Sequence, residues 1–130
     1  MSATLHPQLE KDSFAVAQLE LCTLRLMNNA LYPWVILVPA REGVVEITDL
    51  SAADYALLTK EIHDVCEKMQ AVFAPDKMNI GALGNMVPQL HVHIIARFKR
   101  DAAWPNPVWG GASETYTASG AQEVLSKLYI

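Results

Sequence analysis

The chain reads as an α+β domain: a mostly antiparallel sheet of about five strands, one long helix and a short C-terminal helix. Three features predict this. Short apolar runs divided by turn residues fill the segment before residue 50, an amphipathic pattern occupies residues 51–73, and strand-like residues resume after it. At 130 residues the chain is expected to form a single domain, 1–130, long enough to bury a real core.

Each element has a local reason. Residues 13–27, "SFAVAQLELCTLRLM", are rich enough in apolar and β-branched residues for one or two strands, and "NNALYP" at 28–33 supplies turn chemistry. "WVILVP" at 34–39 is wholly apolar, as a central strand requires, and Gly43 marks a turn in "REGVV". Ser51 is a natural N-cap for the long helix, with Asp54 three residues on and Leu50 and Tyr55 placed as a hydrophobic staple. Tyr55, Leu58, Ile62, Val65, Cys66, Met69 and Phe73 give one apolar face, and Lys60, Glu61, Asp64, Glu67 and Lys68 cover the rest. "APDK" stops the helix, "MNIGALG" is a short strand entering a Gly-rich turn, and residues 119–128 form the terminal helix.

Composition excludes several classes. No apolar run approaches the roughly 20 residues needed to cross a bilayer, and the N-terminus lacks the basic-then-apolar pattern of a secretory leader. Cys22 and Cys66 are too few for a disulfide framework and fit the reduced thiols of a cytoplasm. The net charge is −4, with basic residues concentrated only in "ARFKR" at 96–100, so a polynucleotide backbone is not the expected partner. A single small anion held by local groups is compatible with this charge.

The segment that carries chemistry is "GNMVPQLHVHIIARF", Gly84 to Phe98. Read as a strand, it puts Leu90, Val92, Ile94 and Ala96 on one face and Gln89, His91, His93, Ile95 and Arg97 on the other. Three readings compete. The histidines could be structural, hydrogen-bonded or solvated. They could begin a metal site, with His6, His63, Cys22 and Cys66 as further ligands, although none has recognisable ligand spacing. Or they could serve phosphorus chemistry: a neutral imidazole is a good nucleophile, and a second one about 7 Å along the strand can assist a phosphoryl oxygen or leaving group. "GALGN" upstream could offer backbone N–H groups to the same phosphate.

"QLHVHII" resembles the His-φ-His-φ-His-φ-φ motif (φ apolar) of the histidine triad (HIT) family. "NIGALGNMVP" and "YPWVILVPAREGVVEITDLS" resemble that family's approach to the motif and its Val-Pro strand, turn and helix start. The likeness covers roughly residues 19–100, and "RDAAWPNPVWG" resembles a bacterial branch with Gln in place of the first triad His. It implies a nucleotide-binding hydrolase or transferase, a phosphoramidase-like enzyme in one form. Such an enzyme cleaves phosphoramidates, adenylylated compounds or dinucleoside polyphosphates at the α-phosphate through a nucleotidyl-histidine. By position, His91 is then the nucleophile and His93 its assistant, with Gln89 completing the catalytic set. Asn28, less so Asn29, would hold the ribose, and Asn79 and Asn85 the phosphate. The resemblance also implies a homodimer and, for most members, neither metal nor other cofactor.

The departures are Gln89 for the first triad His, Trp34 for an upstream His, and Met86 for a Ser near the phosphate. Gln hydrogen-bonds but carries no proton near neutral pH, which leaves a non-catalytic nucleotide-binding module as the alternative. Trp34 is expected in the core, whereas Trp104 and Trp109, set among prolines, are expected to cover the site or form an interface. Arg97, on the histidine face, is the one member of its basic cluster expected to differ from a solvated charge.

Overall fold

The computed structural model describes residues 4–129. The elements run α1 (Pro7–Lys11), β1 (Ser13–Gln18), β2 (Cys22–Met27), β3 (Trp34–Pro39), a 3-10 turn (Ile47–Asp49), α2 (Ala52–Phe73), β4 (Lys77–Gly81), β5 (Val92–Arg97) and α3 (Ala118–Leu128). The five strands form one sheet in the order β1-β2-β3-β5-β4, with every neighbouring pair antiparallel. This is the α+β architecture read from the sequence. The wholly apolar β3 is the middle strand and is buried along its whole length.

α2 starts where its cap predicts, with Ser51 Oγ accepting from the Asp54 N–H at 3.1 Å. It ends at Ala74, which takes φ +48° just before Pro75. Leu58, Val65 and Met69 join Leu24, Leu26, Val35, Leu37, Val92 and Ile94 in the main core, and α3 adds Leu125 and Leu128. The staple is a correction: Tyr55 is exposed, and the first buried helix residue is Leu58, so the packed stripe begins about one turn late.

Glu61 is a second correction. The sequence places it on the solvated face, yet it is buried, and its two carboxylate oxygens accept the backbone N–H groups of Leu21 (2.8 Å) and Cys22 (2.9 Å). A carboxylate can be buried when backbone donors satisfy it. Here it joins α2 to the β1–β2 turn, and burial together with this carboxylate pushes the Cys22 thiol well up.

The N-terminal segment is also tied down. Pro7 opens α1, His6 Nδ1 accepts from the Gln8 N–H at 3.1 Å, and Leu9 is buried. α1 packs on the sheet face away from α2, where two small apolar clusters lie side by side. One holds Leu9, Ile36, Val38 and Val87, and the other Tyr32, Trp34, Ile95 and Val108. His93 pairs with Ile36 of the first cluster and contacts Trp34 of the second, so it lies at the seam between them.

Glu61→Ala would leave two buried N–H donors unsatisfied, at about 1–3 kcal/mol each. The expected outcome is a loss of about 2–6 kcal/mol in urea unfolding with an unchanged m-value.

Candidate active site

β5 begins at Val92, not near Gln89 as a regular strand reading requires. Upstream, Pro88 lacks a backbone donor, and the Leu90 N–H is drawn to Val44 O at 3.0 Å instead of into the sheet. His91 therefore stands at the mouth of the strand and His93 inside it, with ring centroids 4.9 Å apart and both residues buried.

The two imidazoles are held by partners of opposite character. His91 Nδ1 lies 2.7 Å from the carbonyl of Gln89. A carbonyl only accepts, so Nδ1 carries a proton, and in the neutral ring the lone pair is then on Nε2. His93 Nδ1 lies 2.9 Å from Trp34 Nε1. An indole N–H only donates, so here Nδ1 accepts and Nε2 carries the proton. Burial, reinforced by the neighbouring His91, lowers the His93 pKa to about 4, which keeps this ring neutral at physiological pH.

Two clefts meet at His91. Val45, Glu46, Ile47, Thr48 and Leu90 contribute to the first, Asn85, Met86, Val87 and His93 to the second, and Leu83 and Gly84 to both. Gly84 takes φ +69°, a turn glycine as the sequence implies. Among the hydrogen bonds of the described residues, none uses the N–H groups of Gly84, Asn85 or Met86. Neither cleft is lined by a lysine or arginine, so an anion there would meet imidazoles and backbone dipoles, not a cation.

The other predicted residues are dispersed. The Gln89 side chain points to the N-terminal segment, where Oε1 accepts from the His6 N–H (2.8 Å) and Nε2 donates to Thr4 O (3.1 Å). Asn85 is exposed beside the histidines, while Asn79 Oδ1 accepts from Arg97 Nη1 at 2.8 Å. Asn28 Oδ1 accepts from the Tyr116 N–H at 2.8 Å, and Asn29 Oδ1 from the Leu31 N–H at 3.1 Å. His63 groups with Asp64 and Glu67 on the exposed face of α2, a possible cation cluster that includes neither His91 nor His93.

Arg97 is fully buried. Nε and Nη2 donate to the two carboxylate oxygens of Asp101 at 2.8 and 3.0 Å, and Nη2 also donates to Asn106 O at 2.9 Å. Its guanidinium lies 5.5 Å from the Tyr32 ring centroid and 5.6 Å from that of Trp104. Asp101 in turn accepts from the N–H groups of Phe98 and Trp104. The segment shaped by these bonds sets Trp109 edge-on to His93, with centroids 5.4 Å apart. Trp109 fills the space above Gly81, where an added Cβ would come within 3.1 Å of the indole. Gly81 faces His93 across the β4–β5 pairing. Sequence reasoning anticipated a covering role for Trp109 but missed the Trp34 bond and the close packing of Trp109 on Gly81. A tryptophan standing where the resemblance expects histidine was the available signal for the former.

A HIT domain model matches residues 8–100, and the chain belongs to the histidine triad family. It is similar to a histidine triad protein from Bradyrhizobium japonicum, with 43% identity over 98% of this chain and 96% of that one and a TM-score of 0.95. One from Marinobacter aquaeolei VT8 is 43% identical over 98% and 94% of the two chains, also at 0.95. Another from Sinorhizobium meliloti 1021 is 42% identical over 96% and 93%, with a TM-score of 0.93. No curated protein sequence gives a significant match. No helix among the described residues is long and apolar enough to cross a membrane.

The Arg97 guanidinium holds the Asp101 carboxyl down at about 2. A carboxylate with a depressed folded-state pKa stabilises the fold above its unfolded value near 4, and that contribution is lost as pH falls from about 4 to 2. Asp101→Asn should flatten this limb of the stability profile while lowering stability at pH 7, as urea titrations between pH 2 and 7 would show.

Proposed function

We propose that this protein is a nucleotide-binding hydrolase or transferase acting at the α-phosphate of a nucleoside phosphate derivative, with His91 as nucleophile. The observation that supports it best is the Nδ1–H of His91 fixed on the Gln89 carbonyl, which in the neutral ring leaves the Nε2 lone pair as the nucleophile at a residue lining both clefts. In this reading the Nε2 lone pair forms a bond to the α-phosphorus as the bond to the leaving group breaks, and that group departs with the electron pair. The nucleotidyl-imidazolium is stabilised by the Nδ1–H···O=C bond. Water then attacks phosphorus, the P–N bond breaks with its electrons returning to Nε2, a proton passes to solvent, and the nucleoside monophosphate leaves.

His93 Nε2–H and the free N–H groups at Gly84–Met86 are suited to phosphoryl oxygens, and Asn85 stands where it can join them. Gln89 acts through its main-chain carbonyl, while its side chain staples residues 4–6 beside the site. A homodimer belongs to the same reading.

The test is AMP release from diadenosine triphosphate and from an adenosine 5′-phosphoramidate, with mass spectrometry of the acid-quenched protein to detect a covalent AMP. His91→Ala should abolish both the adduct and turnover, a loss of about 10³-fold or more on the scale of removing a group that carries a covalent intermediate. Stabilisation of the wild type by AMP without turnover of either substrate would instead support the nucleotide-binding module.

A further inference from the structure

We infer that Trp34 is a positioning residue that fixes His93 as a permanent hydrogen-bond donor, and that this restricts the enzyme to leaving groups able to depart as anions. The inference rests on the hydrolase reading above. Its observation is the Trp34 Nε1–H···Nδ1 His93 bond at 2.9 Å, made between two buried side chains.

The chemistry follows from the inventory of protons. General-acid help to a leaving group needs an imidazolium, which gives up one proton and remains neutral. With its Nδ1 lone pair committed to an indole N–H, His93 holds a single proton on Nε2. Giving that proton away would leave an imidazolate, and gaining a second one would force an N–H against the indole N–H. His93 can therefore polarise a phosphoryl oxygen without transferring a proton.

The surroundings reinforce this state. The rings against His93 are Trp34 on β3, Trp109 from the segment after β5 and His91, and no carboxylate among the hydrogen bonds and ion pairs of the described residues reaches it to favour a cation. Burial holds its pKa near 4, so the neutral form persists through physiological pH.

Leaving groups divide accordingly. When His91 Nε2 bonds to phosphorus, a nucleoside diphosphate or a carboxylate departs with the electron pair as a stable anion and needs no proton. An alkyl amine is too poor a leaving group to depart as an amide anion, so with no proton from His93 its nitrogen must take one from solvent and P–N cleavage is slowed. The site thus selects phosphoric anhydrides and adenylylated acids over alkyl phosphoramidates. Gln89, in the place of a first triad His, is likewise unable to supply the missing proton.

The experiment compares kcat/KM for diadenosine triphosphate and for an adenosine 5′-phosphoramidate of an alkyl amine, in wild type and Trp34→Phe, from pH 5 to 8. ¹⁵N NMR of the wild-type imidazoles is recorded alongside and needs no variant to fold. The expected NMR result is a protonated Nε2 and an unprotonated Nδ1 on His93 across this range. The anhydride should be preferred by about 10²-fold or more, the usual worth of a general acid. In Trp34→Phe the indole donor is gone, so the preference should narrow at least about 10-fold and phosphoramidate turnover should rise toward acid pH. Comparable turnover of both substrates by the wild type, a protonated Nδ1 on His93, or an unchanged preference in folded Trp34→Phe would each overturn the inference while leaving the hydrolase reading intact. No turnover of either substrate would overturn the hydrolase reading and this inference with it.

Discussion

A buried cation organises the half of the molecule that carries the histidines. Arg97 ends β5 away from water, and a guanidinium there must have its donors met. Asp101, Asn79 and the Asn106 carbonyl meet them, from the following segment and from the neighbouring strand. Satisfying the charge thus folds residues 98–109 back over the sheet, and this is what brings Trp109 to His93. The pair does not need to add net stability to have this effect, since its geometry specifies which way the segment runs.

The site itself is built almost without charge. Two imidazoles 4.9 Å apart would repel if both were protonated, and their Nδ1 partners divide the labour: a carbonyl leaves one Nε2 with a lone pair, an indole leaves the other with a hydrogen. The partners come from different levels of structure. The carbonyl is main chain from the irregular approach to β5, so it does not depend on which side chain stands at position 89. The indole depends on β3 pairing with β5 in the register that sets Trp34 opposite Ile95.

Much of this was legible in the sequence. Alternation and periodicity gave the strands, the long helix and its Ser51 cap, because these depend on near neighbours. The histidine motif gave the family. What escaped was set by contacts distant in sequence. Glu61 reads as a solvated helix residue because its acceptors' donors lie some forty positions away. Gln89 reads as a member of the catalytic face because its tie to Thr4 and His6 spans most of the chain. The strand was drawn too long because the pull of Val44 on Leu90 has no local mark. Asn28 and Asn79 also hold structural bonds through Oδ1, to the Tyr116 N–H and to Arg97, and these too reach across the chain.

The strand order has a consequence for a chain made from its N-terminus. β1, β2 and β3 are successive neighbours and can pair as soon as they emerge, but β4 pairs only with β5, which follows it. β5 also pairs with β3, so it closes both ladders at once. A nascent chain that stops short of Val92 therefore carries two unpaired strand edges and no assembled histidine pair. His93 lies on the strand that completes the sheet and His91 directly precedes it, so a ribosome-bound fragment cannot present the pair before that strand is made.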